Sequence, residues 1–323
     1  MPLTFASRFA ASQRWADPLA ERLQPLIKRA VSAPPVHNVL DGVWLGAPLH
    51  PPLTDVPVGA WTTALLLDTG SALSGNGELG AAADRALAVG TIAAVPTALT
   101  GLNDLRDLSG QSRRIAMVHA LANVVGLSLS TASLAYRYTG RRGVGRGLSG
   151  LGYLISSVAA HLGGDLSFGL GVRVNRTMGQ EVPKSFVAVL DEVELRDDEL
   201  RRVDVDGVPV LLARSRHGEV CALANTCTHL GGPLAEGSRE GDTVTCPWHG
   251  SRFDIRSGSV VEGPAVFAQP RLETRVQDGK IEIGFPGAGG TELPELAALQ
   301  HQPAKAEVDD DVAAARKGPE GLM

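Results

Sequence analysis

Apolar residues in the first half of the chain gather into four segments nearly free of charge: residues 56–73, interrupted by Asp68, then 86–102, 115–136 and 147–164. A helix that crosses a bilayer needs roughly 17 to 25 mainly apolar residues. The third segment meets that cleanly and the second and fourth by a small margin. The first meets it only if Asp68 faces a bundle interior or lies near the helix end. All four are rich in Ala, Gly, Ser and Thr, as packed membrane helices are. The competing reading is a soluble helical bundle, but soluble helices show a charged face within every two turns, and residues 115–136 contain no Asp, Glu, Lys or Arg. Ahead of them, Leu19, Leu23, Leu26, Ile27 and Ala30 recur at helical spacing with Arg22, Lys28 and Arg29 on other faces. That pattern suits either a basic amphipathic helix on a membrane surface or an ordinary solvated helix, kinked at Pro25.

Beyond residue 185 the period changes. Residues 203–212, 218–223, 242–245 and 271–283, the last with an Asp278-Gly279 turn, read as short strands of a small antiparallel sandwich. After Gly287 the chain turns to Gly, Ala, Pro and acid, through Asp309, Asp310 and Asp311, which predicts a disordered tail. The expected organisation is therefore multidomain: an N-terminal segment over 1–44, an all-α four-helix transmembrane bundle over 45–175, a linker over 176–184, an all-β domain over 185–286 and an acidic tail over 287–323.

Charge adds an orientation. The net value of -5 conceals a split: Lys and Arg against Asp and Glu number 16 to 11 over residues 1–184, 11 to 17 over 185–286 and 3 to 7 in the tail. With four spans, one side of the membrane carries eleven basic residues (8, 14, 22, 28, 29, 106, 113, 114, 173, 176 and 184) and the other five (85, 137, 141, 142 and 146). The positive-inside rule then places both termini and the β domain in the cytoplasm of a multi-pass inner-membrane protein. No secretory leader is visible, since residues 1–30 lack a continuous apolar stretch.

The chemistry concentrates in residues 225–257. Cys227 and His229 form a Cys-x-His pair, sixteen residues intervene, and Cys246 and His249 form a Cys-x-x-His pair. Two thiolates and two imidazoles on separate glycine-rich loops make a metal site. Zinc also takes two Cys and two His, although zinc knuckles usually pair like with like, whereas each loop here mixes them.

The flanks Cys227-Thr228-His229-Leu230-Gly231 and Cys246-Pro247-Trp248-His249-Gly250-Ser251 resemble the two cluster-binding loops of Rieske proteins, over about residues 186–285 with the Gly263-Pro264 loop included. The resemblance implies one [2Fe-2S] cluster, with Cys227 and Cys246 on one iron and His229 and His249 on the other. Where subunits of the cytochrome bc complexes carry a disulfide between the loops, this chain has Gly232 and Trp248, which makes it ferredoxin-like. Cys221 then has no partner, and the lack of a disulfide framework agrees with a reducing compartment. Gly231, Gly232 and Gly250 are expected to let backbone amides approach sulfur, and Trp248 and Phe253 to shield the cluster, with Pro264 also expected beside it. High-potential relatives place a serine and a tyrosine as donors to the sulfurs. Ser251 retains the first and Phe253 cannot supply the second, so a potential below the bc type is expected.

The run from Leu49-His50-Pro51 through Asp68, with three further helices and the closing His161-Leu162-Gly163-Gly164, resembles a bacterial family of four-helix membrane proteins of unassigned function. His50, His119, His161, Asp55 and Asp165 are expected in one layer on the cytoplasmic side. Ionisable groups at membrane depth are functional candidates, and a haem b, quinone or proton-linked site is set against a polar network that fixes helix packing. Asp68 is expected to pair with Arg85. The function implied is a membrane-anchored one-electron carrier, with a donor such as a ferredoxin reductase, a redox acceptor and membrane lipid as partners, and no nucleic acid. The alternative is a redox- or iron-responsive regulator with the cluster as sensor. Only His301 follows His249, so the two histidines and a carboxylate of an oxygenase's mononuclear iron are not expected.

Overall fold

The computed structural model describes residues 3–180 and 185–284, so the expected acidic tail, with His301 and Asp309 to Asp311, lies outside them. The chain forms two compact units. Among the described residues, the first takes those up to Gly42 and Pro48–Val172, and the second takes Val43–Ala47 and those from Arg173 to Gly284. The second unit thus begins three residues before the expected 175/176 boundary. The reason is local: Arg173 Nη1 donates to Pro264 O at 2.9 Å and the Arg176 amide to Thr228 O at 3.1 Å, tying this segment to loops of the β domain.

Seven α-helices rather than four make up the described part of the first unit: α1 (Phe5–Ala11), α2 (Ala16–Ala30), α3 (Pro34–Asp41), α4 (His50–Ser74), α5 (Gly77–Leu105), α6 (Gly110–Tyr138) and α7 (Arg142–Gly164). The four apolar segments lie inside α4 to α7. Their short connections carry the expected terminator chemistry. Gly75 ends α4 at φ 69, and the Asn76 side chain accepts the Glu78 amide at 2.8 Å to start α5. Helix α2 runs through Pro25. It buries Ala16, Ala20 and Ile27 and leaves Leu19 and Leu26 exposed, so its apolar stripe is narrower than the spacing suggested. Asp17 anchors it to the start of α6, meeting Arg113 and Arg114 at 2.8 Å each.

The bundle α4–α7 is apolar on the outside. Leu66, Ile92, Val124 and Leu154 are exposed by 68, 73, 55 and 62%, while Ala64, Ala94, Thr97, Ser130, Ser133 and Ser156 are buried. Large side chains therefore face outward and small ones pack between helices. Among the described helices, α5 and α6 are the two both long and apolar enough to cross a membrane; at 29 residues each they run about 43 Å. The Asp68–Arg85 pairing does not form. Asp68 meets Arg137 at 3.0 and 2.5 Å and Arg146 at 3.3 Å, and Arg85 is exposed. A guanidinium arriving from α6 reaches the bundle interior, whereas position 85 lies on the outer face of α5.

The second unit is all-β. An antiparallel six-stranded sheet has the order β1 (Val187–Asp191), β10 (Lys280–Gly284), β9 (Arg271–Gln277), β4 (Val220–Ala224), β3 (Val208–Arg214), β2 (Arg201–Val205). A four-stranded sheet runs β5 (Ser238–Glu240), β6 (Thr243–Thr245), β7 (Arg252–Asp254), β8 (Val260–Glu262). The Asp278-Gly279 hairpin forms as expected, with φ 52 and 74. The expected single strand over 203–212 is instead a hairpin, because Asp206-Gly207 adopts the same left-handed pair at φ 51 and 83.

Candidate metal centre

Two loops built on one plan carry the four candidate ligands. The first follows β4 and the second joins β6 to β7. In the first, the Cys227 amide donates to Gly232 O at 2.8 Å and the Gly231 amide returns to Cys227 O at 2.9 Å. In the second, the Cys246 amide donates to Ser251 O at 2.8 Å and the Gly250 amide returns to Cys246 O at 3.1 Å. Each loop thus closes on its cysteine with a left-handed glycine four residues on, at φ 88 for Gly231 and 78 for Gly250. Only glycine takes that conformation without cost. The shared Cys-x-x-x-Gly spacing was present in the sequence and is the signal for this loop plan.

The loops bring like with like. Cys227 and Cys246 are 1 and 3% exposed and share one apolar cluster with Leu211, Leu234, Val244 and Phe253. The His229 and His249 rings lie 5.1 Å apart at 87°, with His249 half-buried. Two imidazoles that share one metal at an acute-to-tetrahedral angle, each nitrogen about 2 Å from it, have centroids roughly 5 Å apart. Among the described residues no three His, Cys, Asp or Glu converge on one point. A mononuclear zinc centre needs three or four, whereas a two-iron cluster needs a thiolate pair and an imidazole pair.

The thiols act as a unit. Cys246 is brought down to about 7, first because the Cys227 S–H donates to its sulfur, with the Trp248 and His249 amides helping against burial. Cys227 is pushed well up by the same hydrogen bond, by burial and by the neighbouring charge, against the amides of His229 and Leu230. Four backbone N–H groups thus point at two sulfurs, a cradle for a negatively charged cluster. Gly232 completes it: a Cβ there would stand 2.7 Å from Cys246 Sγ and 3.0 Å from Trp248 Cγ. The residues present fit a [2Fe-2S] cluster, which when bound supplies a one-electron change.

Ser251 is fully buried and its Oγ accepts the Ala265 amide at 3.0 Å, so the hydroxyl proton is left to donate elsewhere. Phe253 is fully buried in β7, and Trp248 packs on the same apolar cluster. Pro264 is buried behind the second loop. Three residues that the sequence did not single out hold the first loop. Gln269, 2% exposed, donates to Ala224 O and Thr226 O at 2.7 and 2.5 Å and accepts the Thr228 amide at 3.2 Å. Thr228 Oγ1 donates to Phe267 O at 2.8 Å, and Asn225 Oδ1 accepts the Ala235 amide at 2.7 Å. Nothing in a single sequence distinguishes these from ordinary loop residues.

The expected polar layer of the first unit divides. His50 and His119 come together, with ring centroids 6.3 Å apart. His161 and Asp55 are exposed on outer faces. Asp165 instead accepts from Thr4 Oγ1 at 2.6 Å and Ser7 Oγ at 2.5 Å, fastening α1 to the end of α7.

Comparison with known proteins agrees with this geometry. Residues 185–274 match the Rieske [2Fe-2S] domain, and residues 46–176 match a family described as a predicted membrane protein (DUF2231). The 3-phenylpropionate/cinnamic acid dioxygenase ferredoxin subunit of Escherichia coli is 32% identical over 26% of this chain and 80% of its own length. Ferredoxin CarAc of Metapseudomonas resinovorans is 28% identical over 28% of this chain and 84% of its own. Apoptosis-inducing factor 3 of Mus musculus is 31% identical over 28% of this chain, but the match spans only 15% of that protein.

Proposed function

We propose, because this chain belongs to the Rieske [2Fe-2S] domain family, that it is a membrane-anchored one-electron carrier of the ferredoxin type. The observation that carries the reading is the paired geometry of the two loops, cysteine with cysteine and histidine with histidine, around a cradle of amides that Gly232 keeps open. Cys227 and Cys246 would hold one iron as thiolates, and His229 and His249 the other as neutral imidazoles. The amides and Ser251 offset the negative charge on the sulfurs, and Phe253 and Trp248 keep water from them. The imidazole side is the more open, since His249 is half-buried while both cysteines are buried. Electrons therefore enter and leave at that edge.

Anchoring is supported by the outward apolar faces of α4–α7 and by the length of α5 and α6. The excess of basic residues on one side favours a multi-pass inner-membrane protein with its β domain in the cytoplasm. A ferredoxin reductase suits as donor, as do an oxygenase component or the membrane domain itself as acceptor. Low-temperature EPR of membranes before and after dithionite tests the centre, since a mixed Cys/His cluster gives a rhombic signal of low average g. An EPR-silent protein carrying zinc would end the cluster assignment. Release of the chain by alkaline carbonate would end the anchoring.

A further inference from the structure

Helices α1 and α2 are fastened to the bundle where its apolar segments stop. Asp17 pairs with Arg113 and Arg114, the last charged residues before the run over 115–136 that holds no Asp, Glu, Lys or Arg. Gln24 Nε2 donates to Leu105 O and Leu108 O at 2.9 and 2.8 Å, and Lys28 Nζ meets Asp107 at 3.3 Å, so the far half of α2 is held at the end of α5 and the turn beyond it. Asp165, which receives Thr4 and Ser7 of α1, directly follows the apolar segment 147–164. Each tie therefore falls at the level where a membrane-crossing segment would pass from hydrocarbon to headgroups.

The two helices carry two apolar faces. Ala10, Ala16, Ala20 and Ile27 go inward and share a core with Leu105, Ile115, Met117 and Leu162. A second set points away from that core: Phe5 and Phe9, one turn apart on α1, then Trp15, Leu19 and Leu26, all 42 to 78% exposed. Spacings of four and seven residues place the last three on one stripe of α2, and Arg22 and Arg29 fall beside it. Arg8, Arg14, Arg22 and Arg29 are exposed, whereas both acids of the segment are engaged by the bundle, Asp17 as above and Glu21 by Arg113 at 3.3 Å. The outer surface is thus apolar and cationic at once.

We infer that α1 and α2 form an in-plane anchor, with Phe5, Phe9, Trp15, Leu19 and Leu26 entering the boundary between headgroups and acyl chains and the arginines meeting acidic headgroups. The inference rests on the reading of α4–α7 as membrane helices and names a second, interfacial contact with lipid. Contiguous exposed apolar side chains rimmed by polar ones mark an interaction surface, and charge selects the occupant. A second copy of the chain would bring the same excess of five basic residues over two acidic ones in residues 3–31, like against like. An acidic lipid surface complements it. Aromatic rings settle at the interface, arginine stems lie along apolar surface with their heads in the phosphate layer, and such helices immerse by roughly 5 to 10 Å. Each basic side chain near an anionic surface strengthens the contact about fivefold.

The test is nitroxide depth on the full chain in nanodiscs of phosphatidylglycerol and phosphatidylethanolamine. Labels go singly at Leu19→Cys and Leu26→Cys in a Cys221→Ser background, with the cluster oxidised and the parent C221S chain giving the labelling background. Both positions are exposed, so the label leaves the core intact. Ile92→Cys on the bundle's outer face and Val193→Cys on the β domain, 73 and 90% exposed, serve as lipid and water references. Oxygen relaxes labels in lipid and a nickel chelate those in water, so positions 19 and 26 should give oxygen-to-nickel ratios between the two references. Ratios equal to that at 193 would overturn the inference. Dipolar broadening at 19 and 26 that disappears on dilution with unlabelled chain would place a second copy on the surface and overturn it too. In nanodiscs of phosphatidylcholine alone, and in the R22Q/R29Q variant, both labels should shift toward water, and no shift in either would overturn the pairing with acidic headgroups. A water-like ratio at position 92 would strike the membrane reading of α4–α7 itself, a result distinct from a lipid-like 92 with water-like 19 and 26.

Discussion

Gly232→Ala is the sharpest test of the metal centre, because the structure separates its effect from that of its neighbour. Gly232 lies outside the left-handed region, so alanine costs nothing in backbone conformation there. The penalty is steric: the new methyl would stand 2.7 Å from Cys246 Sγ and 3.0 Å from Trp248 Cγ, against a normal contact of about 3.5 to 4 Å. Trp248 can swing aside, but a thiolate held about 2.3 Å from its metal cannot. Overpacking of this size costs about 1 to 3 kcal/mol, which is roughly tenfold in an equilibrium for each 1.4 kcal/mol. Gly231→Ala reverses the terms. Position 231 sits at φ 88 with its nearest atom 3.9 Å from the new methyl, so the cost is about 1 to 2 kcal/mol of left-handed strain with no pressure on sulfur. The assay is iron and acid-labile sulfide per folded chain, the EPR line shape and the melting temperature. G232A should lose most of its cluster or shift its g values, while G231A should melt lower with full cluster content in the folded fraction. A G232A protein with native iron, sulfide, spectrum and melting temperature would refute the proposed packing of the cradle.

Three further outcomes follow from other contacts. Phe253→Tyr should raise the reduction potential and Ser251→Ala lower it, each by the worth of one hydrogen bond, about 1 kcal/mol or roughly 40 mV for one electron. Voltammetry that shows both unmoved would contradict the role of sulfur-directed donors, and S251A should also melt lower because the Ala265 amide loses its acceptor. In the bundle, Arg137→Leu removes the guanidinium that bridges Asp68 and Asp84, which keep Arg146 and Arg142 respectively, and should cost about 1 to 3 kcal/mol in detergent. The D68N/R137Q double variant should be less harmed than the sum of its singles, and strict additivity would show that the ion pair contributes nothing. In the cluster-free protein, one thiol of the Cys227–Cys246 pair should alkylate with a midpoint near about 7 and the other only at strongly alkaline pH. The rate of the first therefore rises as pH climbs through neutrality, and a shared midpoint near 9 would show that the thiols do not interact.

The four candidate ligands stand out in the sequence because metal chemistry restricts residue type and spacing together, and mixed Cys/His pairs on glycine loops have few other uses. Helices α4–α7 were legible from apolar runs, since a bundle that shows large residues outward and small ones inward needs no charged stripe. The partner of Asp68 was not legible. Arg85 and Arg137 are the same residue type, and only the bundle's geometry turns one inward. The Asp206-Gly207 hairpin was hidden for a different reason: its flanks are both apolar, so the pattern looked continuous although the turn dipeptide was the same as at 278–279.

Gln269 binds the first ligand loop to its neighbours through three hydrogen bonds that involve no ligand atom. The loop's position is therefore set by the protein and does not vary with the charge of whatever it holds. With a cluster bound, oxidised and reduced forms should then share nearly one set of loop coordinates, with little reorganisation expected in each transfer. The rate of transfer is left to distance and driving force, so a partner has only to approach the imidazole edge and need not remodel the site.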